Sequence, residues 1–361
     1  MKTVFHLSGT LRGTSRNEIW IADGVIQYQK PTAECIVQEI SGYIYPGLVD
    51  AHTHIGMSNQ AEPVSDEEMR RRLAACAMQG VTAIRDAGSQ RDANEVITTG
   101  MPKVIHCGQH IARPKRYTRF LASEVEPENF LSEIEKQCAI SGGWIKIVAD
   151  WIDRSAGDLR PLWDAKLFAD GVALAHDLGK RVTVHSFAAE TGEMLLAAGV
   201  DGIEHGTGMS FAQKQQARAQ GILIVPTVNQ ISRFPEFAAA GHRFPIYQKR
   251  MREMDARRRE HLAELLVADS LLVMGSDTAE DVATPGRGLP QELVDAVRDG
   301  MPTELVMAAA SYRGRELLGF TSWEEGSAAD FVVYRHNPER DINEVLHPQR
   351  VIIDGLEVGS F

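Results

Sequence analysis

Histidine and aspartate residues stand directly after several apolar stretches of this sequence. His52 and His54 lie one residue apart in YPGLVDAHTHIG, and His185 ends the stretch GKRVTVH. His205 ends GVDGIEH, and Asp277 ends LLVMGSD. Imidazole nitrogens and carboxylate oxygens are the usual ligands of catalytic Zn²⁺ sites. One histidine at the end of a strand is usually structural, but five such residues in comparable positions together predict a metal site.

Lys146 is a further residue whose surroundings indicate chemistry. It lies within the apolar stretch WIKIVA, which is typical of a buried strand. A buried ammonium is costly unless it is paired or loses its proton, and a neutral lysine is a nucleophile. The alternative is a structural lysine whose ammonium reaches Asp150 or Asp153 beyond the strand. We favour the reactive lysine, because burial disfavours an unmodified ammonium here.

The elements that must position these residues follow a regular pattern. Between residues 48 and 319, apolar segments alternate with helical patterns, which favours a parallel sheet covered on both faces. The predicted strands are 48–53, 81–86, 103–107, 144–149, 181–185, 202–205, 222–226 and 271–275. Eight such strands over roughly 250 residues match a TIM (β/α)8 barrel, whose catalytic groups stand at the carboxyl ends of its strands. Periodicity leaves a doubly wound open sheet as the alternative.

Both ends of the chain have the pattern of short β-strands. Residues 18–28 predict a hairpin, and residues 328–358 contain AADFVVY and RVIIDGLEV. We therefore expect a small composite β-sandwich subdomain built from residues 1–47 and 320–361, packed against a barrel of residues 48–319.

Composition narrows the class of protein. The chain has 361 residues, 43% of them hydrophobic, and a formal net charge of −11, with no basic run interleaved with aromatic residues. A nucleic-acid partner is therefore not expected. The 4 cysteines are scattered, and we expect neither a disulfide framework, a signal peptide nor a membrane span. The expectation is a cytoplasmic protein with a small-molecule substrate, and a homo-oligomer is left open.

Several motifs together resemble the amidohydrolase superfamily. PGLVDAHTH resembles its opening H-x-H motif, and GVTAIRDAGS is similar to the second strand of the imidazolonepropionase-like and Xaa-Pro dipeptidase-like branch. GGWIKIVAD resembles the strand-four lysine segment of binuclear members, and GSAADFVVY their C-terminal β-sandwich. The motifs come in the order of the family, H-x-H, Lys, His, His and Asp, over nearly the whole chain.

This resemblance implies a centre of two divalent metal ions, with Zn²⁺ as the favoured metal. In such a centre one ion is bound by His52, His54 and Asp277, and the second by His185 and His205. The lysine reacts with CO₂, and the resulting carbamate bridges the two ions, which is the implied role of Lys146.

The same resemblance implies a reaction. A hydroxide that bridges the two ions attacks the carbonyl carbon of an amide, non-peptide or dipeptide-like, of a small substrate. Asp277 then acts as the general base and acid, taking a proton from the water and delivering it to the leaving nitrogen. Phe187 stands where dipeptidase-like members often have a tyrosine, which weakens the transfer of Xaa-Pro specificity.

Two other classes of function compete with this one. A mononuclear enzyme that opens a cyclic, imidazolone-like amide or deaminates a heterocycle would not need Lys146. Glu190 stands at the wrong offset from His185 for the H-x-x-E motif of deaminases. A binding protein that has lost activity would not need the intact set of ligands. The number of metal ions per chain distinguishes the three.

Substrate contacts are predicted from the loops that follow the strands. His110, Tyr117 and Arg119 belong to the loop after the third strand, and Asn229 follows the seventh. Such loops rise over the active-site face of a barrel, which predicts that these four residues bind substrate. The alternative is a loop whose charges are simply solvated.

Overall fold

The computed structural model describes residues 2–58, 64–118, 121–284 and 286–359. Its N-terminal part begins with six short strands: β1 (Lys2–Leu7), β2 (Thr10–Leu11), β3 (Ile19–Ala22), β4 (Val25–Gln27), β5 (Cys35–Ile40) and β6 (Tyr43–Pro46). Strands β3 and β4 form the hairpin expected from the sequence. Asp23 and Gly24 make its turn with φ angles of 53° and 80°, a backbone region that suits short polar residues and glycine.

The central part of the chain contains most of the parallel strands. They and their short companions are β7 (Leu48–Thr53), β8 (Val81–Asp86), β9 (Lys103–His106), β10 (His110–Ala112), β11 (Ala122–Glu124), β12 (Trp144–Val148), β13 (Asp150–Asp153), β14 (Asp158–Pro161), β15 (Arg181–Ser186), β16 (Gly202–His205), β17 (Leu223–Val225) and β18 (Leu271–Leu272). All eight strands predicted from the sequence are present; seven differ from the predicted bounds by at most one residue at each end, whereas the eighth, predicted over 271–275, covers only Leu271–Leu272.

Helices follow most of these strands. They are α1 (Asp66–Met78), α2 (Phe130–Ile140), α3 (Ala165–Asp177), α4 (Gly192–Ala198), α5 (Phe211–Ala219), α6 (Val228–Ser232), α7 (Phe234–Ala240), α8 (Pro245–Ala256), α9 (Arg258–Val267), α10 (Leu289–Arg298), α11 (Thr303–Ala310) and α12 (Tyr312–Leu318). The chain ends with β19 (Phe331–Tyr334), β20 (Arg350–Ile353) and β21 (Leu356–Glu357). Among the described residues, no helix has the length and apolarity that crossing a bilayer requires.

The parallel strands form two sheets, which confirms the α/β class. One sheet has the order β7-β8-β9, and the other β11-β10-β12-β15-β16-β17-β18. The predicted closed ring of eight strands is not formed by continuous ladders. Isolated contacts join the sheet edges instead: Gly142 N donates to His106 O (2.7 Å), and Ala51 N donates to Met274 O (2.9 Å). The predicted eighth strand is short because its ladder with β17 ends at Leu272.

Every residue of β7, β8 and β12 is buried, as expected for strands covered on both faces. The largest cluster of buried side chains lies between these strands and helices α1, α2, α3, α10 and α11. A tightly packed core of this kind fixes the ends of the strands, and with them the side chains of the site.

The two ends of the chain share a sheet of order β2-β6-β19-β20-β21, in which β6 and β19 run antiparallel. A second sheet, β4-β3-β1-β5, comes from the N-terminal part alone. Leu7 and Ile21 of that sheet belong to the same buried cluster as Phe331 and Ile352 of the first. The N- and C-terminal strands therefore pack together in one region of the molecule.

Candidate metal centre

His52, His54 and Asp277 come together where β7 and the segment after β18 end side by side. One potential ligand atom from each of the three lies within 4.8 Å of the others. Oδ1 of Asp277 is 3.3 Å from Nε2 of His52 and 3.2 Å from Nε2 of His54. Asp277 has a φ of 51°, a region that non-glycine residues rarely adopt, and its N–H donates to His52 O. The backbone thus holds this carboxylate in a strained position against both histidines.

The hydrogen bond of His54 fixes which of its nitrogens is free. Its Nδ1 lies 2.9 Å from the carbonyl oxygen of Gly88, which accepts only from an N–H. In the tautomer with its single proton on Nδ1, Nε2 has a lone pair that faces the carboxylate of Asp277. Two lone pairs at this distance call for a cation between them. Ligands of a tetrahedral Zn²⁺ stand roughly 3.3 Å apart, so the observed spacing suits that ion.

His185 and His205 form a second pair at the ends of β15 and β16. Nδ1 of His185 is 3.0 Å from Nε2 of His205, and Nδ1 of His205 is 2.6 Å from Oγ1 of Thr227. Burial lowers the pKa of both histidines well below the ordinary value, so both rings are neutral. Within the described chain, Nε2 of His185 is buried without a hydrogen-bond partner. The ring centroids of His205 and His52 are 5.3 Å apart, so the two histidine pairs adjoin each other.

Lys146 lies on β12 with 1% of its surface exposed, and its Nζ has no hydrogen-bond partner among the described residues. Burial lowers its pKa, although the charges of Glu204 and Asp277 act in the opposite direction. Its neighbour on β15 is Thr183, two residues before His185. A lowered pKa favours the neutral amine, the form of lysine that reacts with CO₂. The surroundings of Lys146 therefore fit the carbamate expected from the sequence.

Glu204 and Arg85 support the centre, although no role was predicted for them from the sequence. Oε2 of Glu204 lies 2.7 Å from Nδ1 of His52, and its Oε1 accepts from Nη2 of Arg85 (2.5 Å) and from the hydroxyl of Thr183. Burial raises the pKa of Glu204, but Arg85 and Lys146 outweigh it, and the net pKa is lowered. Both residues are charged groups within apolar strands, which is the same signal that singled out Lys146.

Two buried aspartates hold the backbone around the centre. Asp50 accepts from the N–H and the hydroxyl of Ser276 (2.9 and 2.6 Å), and so ties β7 to the segment that holds Asp277. Asp150 accepts from the N–H groups of Phe187 and Ala188 at 3.0 Å each. Burial raises the pKa of each aspartate to about 6, although these hydrogen bonds act against it.

Aromatic rings line the side of the centre that the strands leave open. Tyr117 and His110, both predicted substrate residues, have ring centroids 5.1 Å apart. His110 is 5.1 Å from His54, and Tyr117 is 5.7 Å from His185. Phe187, whose ring is 4.4 Å from that of His185, was not predicted to take part. The histidines that these rings contact are buried.

The structure does not place the other two predicted substrate residues, Arg119 and Asn229, beside the histidines. Arg119 lies outside the described residues. Asn229 points its side-chain amide towards Asp295 and the N–H of Glu292, and its own N–H donates to Glu292 (2.8 Å). Asn229 thereby connects helix α6 to helix α10, and its role in substrate binding stays a prediction.

Comparison with known proteins identifies the family. The model of the amidohydrolase family matches residues 43–358. The chain belongs to the amidohydrolase family. An uncharacterized protein of Mycobacterium tuberculosis is 33% identical over 344 residues, which cover 95% of this chain and 92% of that protein.

Solved structures with this fold include several hydrolases. A Xaa-Pro dipeptidase with bound methionine has a TM-score of 0.78 at 21% identity, covering 99% of both chains. A putative prolidase from Bifidobacterium longum has a TM-score of 0.81 at 21% identity, covering 99% of this chain and 95% of its own. The ochratoxinase of A. niger has a TM-score of 0.79 at 19% identity, covering 98% and 95%. Membership of the amidohydrolase family supports a hydrolase that acts on carbon–nitrogen bonds.

Proposed function

We propose that this amidohydrolase is a metal-dependent enzyme that cleaves the amide bond of a small substrate at a centre of two zinc ions. The observation on which this rests is the pair formed by His54 and Asp277. Gly88 accepts the Nδ1 proton of His54, and in the tautomer with that single proton the lone pair of Nε2 faces a carboxylate oxygen at 3.2 Å, an arrangement that a cation between them would stabilise.

The second ion would be held by the other histidine pair. His185 and His205 are neutral and buried, and neutral imidazole is the form that binds metal. The carbamate of Lys146 would supply an anion whose charge the metal ions would compensate. The full set of proposed ligands is His52, His54, Lys146, His185, His205 and Asp277.

In the proposed reaction, Asp277 transfers the proton, and Tyr117 and Phe187 surround the site. Zinc, when bound, would lower the pKa of a water and polarise the carbonyl of the amide. An oxygen of the Asp277 carboxylate accepts the proton of the attacking water and then delivers it to the leaving nitrogen. Tyr117 and Phe187 exclude bulk water, and the low dielectric that results strengthens the charge interactions around Asp277.

The same proposal extends to the architecture. Strands β7, β8, β9, β12, β15, β16, β17 and β18 would form a (β/α)8 barrel within residues 48–319, with the histidines at its carboxyl end. Residues 1–47 and 320–361 would form the composite β-subdomain. The pairing of β6 with β19 and the hydrogen bond from Ala51 to Met274 support this division. The expected partner is a small molecule, and the expected location is the cytoplasm.

Activity on a panel of amides tests the proposal. Zinc-loaded protein is offered N-acyl amino acids, dipeptides and simple carboxamides, and the release of free amine is measured. We expect hydrolysis of at least one of these classes, and a loss of about 10³-fold or more in Asp277→Asn, which keeps the shape but not the base. Release of ammonia from a heterocycle, or opening of a cyclic amide, without any acyclic hydrolysis would favour the mononuclear alternative. The compact group of His52, His54 and Asp277 would suffice for that alternative.

A further inference from the structure

A cavity of about 760 Å³ adjoins the metal centre. Its walls come from the segments that follow β15 and β16 and from helices α5, α8 and α9, so part of it lies at the carboxyl ends of the strands that hold His185 and His205. Phe187 belongs to both places: it lines the cavity, and its ring centroid is 4.4 Å from that of His185 and 4.7 Å from that of His205. One aromatic ring therefore separates the cavity from the second histidine pair.

His261 is a polar group of this cavity whose hydrogen-bonding capacity is not fully used. It lies on α9 with 5% of its surface exposed; its ring interacts with the backbone of His205, and neither nitrogen has a hydrogen bond of good geometry in the described parts of the chain. Burial, with the charge of Lys214, lowers its pKa to about 3, so the ring is neutral and offers one donor and one acceptor. A buried group in this condition costs stability, which is offset when a ligand supplies its partner.

The charged groups that line the cavity already have partners. Lys214 Nζ donates to Glu264 at 2.5 Å. Arg250 contacts Asp158 at 2.6 Å and Glu190 at 2.8 Å. Arg258 is paired with Asp255 and Asp299 in the same way. These cations are neutralised, so the cavity is not built for a free anion.

The remaining wall is apolar. Phe187, Met209, Ile231 and Met254 all line the cavity. A ligand that fills it must therefore be mainly apolar, and must meet His261 with a hydroxyl, an amide or a similar uncharged group.

We propose that this cavity is the specificity pocket of the hydrolase, and that it takes an apolar, ring-sized part of the substrate whose uncharged polar atom hydrogen-bonds to His261. The inference rests on the proposed function for its connection to catalysis. The Phe187 ring lies between the two places, so a substrate held at His185 and His205 reaches this space by displacing that ring. His261 then selects substrates with a hydroxyl-bearing ring over those with a plain ring.

Binding of p-cresol and toluene to the metal-free protein tests the pocket without any need for catalysis. The two probes have the same shape and differ by one hydroxyl. We expect the ratio of the Kd for p-cresol to the Kd for toluene to rise by about tenfold in His261→Leu, which corresponds to the loss of one hydrogen bond. His242→Leu, an exposed histidine outside the cavity, is the matched control and should leave the ratio unchanged. An unchanged ratio in His261→Leu overturns the inference.

A second measurement needs no variant. Nitrogen NMR of the wild-type histidines should show a shift of the His261 ring signals with p-cresol and a much smaller one with toluene. Equal shifts with both probes, or none, contradict the role of His261. If p-cresol binds through His261 but no amide is hydrolysed, the pocket stands and the proposed function fails. If amides are hydrolysed but neither p-cresol nor toluene shifts the His261 signals, the pocket inference is wrong and the proposed function is unaffected.

Discussion

Nδ1 of His52 lies 2.7 Å from Oε2 of Glu204, and both side chains are buried. The other oxygen of this carboxylate, Oε1, accepts from Arg85 and Thr183, which fixes the position of the side chain. Nδ1 of His52 and Oε2 of Glu204 do not have hydrogen-bond geometry, but a negative charge this close to Nδ1 favours the tautomer of His52 with its proton there, whose Nε2 lies 3.3 Å from Asp277. Glu204 is therefore a positioning residue for the first metal site.

Glu204→Gln tests this role. The amide keeps the shape of the side chain but is a weaker acceptor for His52, so we expect the affinity for the first zinc ion to fall by about 10- to 100-fold. The free energy of unfolding should also fall, by about 3–5 kcal/mol, because Arg85 is left buried without its counter-ion. Chelator competition measures the affinity, and urea denaturation measures the stability.

The double variant Arg85→Met/Glu204→Gln distinguishes the effect of Glu204 on stability from its effect on zinc affinity. Removing both charges should recover most of the stability, whereas zinc affinity should remain low because His52 still lacks its carboxylate. Wild-type zinc affinity in either variant would show that Glu204 serves only to balance Arg85.

Thr227→Val tests the corresponding contact at the second site. The hydroxyl of Thr227 is 2.6 Å from Nδ1 of His205 and accepts from it in the tautomer that leaves Nε2 free for a metal ion. Valine keeps the branched shape and the backbone strain of Thr227, whose φ is 45°, but cannot accept the proton. We expect affinity for the second zinc ion to fall about 10- to 100-fold while the first site is unaffected, as measured by isothermal titration calorimetry. Thr227→Ser, which restores a hydroxyl, should recover binding, and a valine variant that binds both ions normally would refute the role.

The sequence was informative where a residue's own neighbours determine its position. His52, His54 and Asp277 follow buried strands, and their grouping could be predicted because the carboxyl ends of parallel strands meet. The α/β class followed in the same way from the alternation of apolar and amphipathic segments. The amidohydrolase family was recognised from the order of these motifs.

Other features depend on contacts between distant segments, which motifs do not encode. The contact between Glu204 and Arg85 joins residues 119 positions apart on separate strands, so neither partner could be assigned from its own segment. Asn229 was expected at the substrate, but its orientation is determined by α10, more than sixty residues further along the chain. The cavity around His261 likewise depends on how α8 and α9 pack beside β15 and β16.

Glu292 should make stability depend on pH. It is buried on α10, where it accepts from the N–H groups of Val228 and Asn229, and burial raises its pKa from 4.5 to about 8. The folded state thus holds this proton more tightly than the unfolded state. The resulting stability is fully present below pH 4.5 and is lost as the pH rises through 8.

Comparing Glu292→Gln with the wild type isolates that contribution. Between pH 5 and pH 8 the wild type should lose about 3 to 4 kcal/mol of unfolding free energy more than the variant does. Urea denaturation at both pH values gives the difference. Parallel pH profiles for the two proteins would mean that Glu292 is already ionised in the fold at pH 5.

Rescue by small carboxylates tests the carbamate of Lys146. Lys146→Ala should lose amide hydrolysis, and added acetate or propionate should restore part of it by supplying the missing anion in the space that the side chain leaves. Lys146→Arg should stay inactive with or without these acids, because a guanidinium does not take up CO₂ and places a fixed cation among the ligands. Full activity of Lys146→Ala without any additive would show that the lysine is structural.

The zinc content of the reconstituted protein tests the central claim most directly. Wild type and Lys146→Ala are loaded with zinc and bicarbonate, freed of excess metal, and analysed by mass spectrometry of the metal against protein concentration. The account predicts about two zinc ions per wild-type chain and about one in Lys146→Ala, where His52, His54 and Asp277 remain. An equal zinc content in the two proteins would contradict a lysine-bridged binuclear centre.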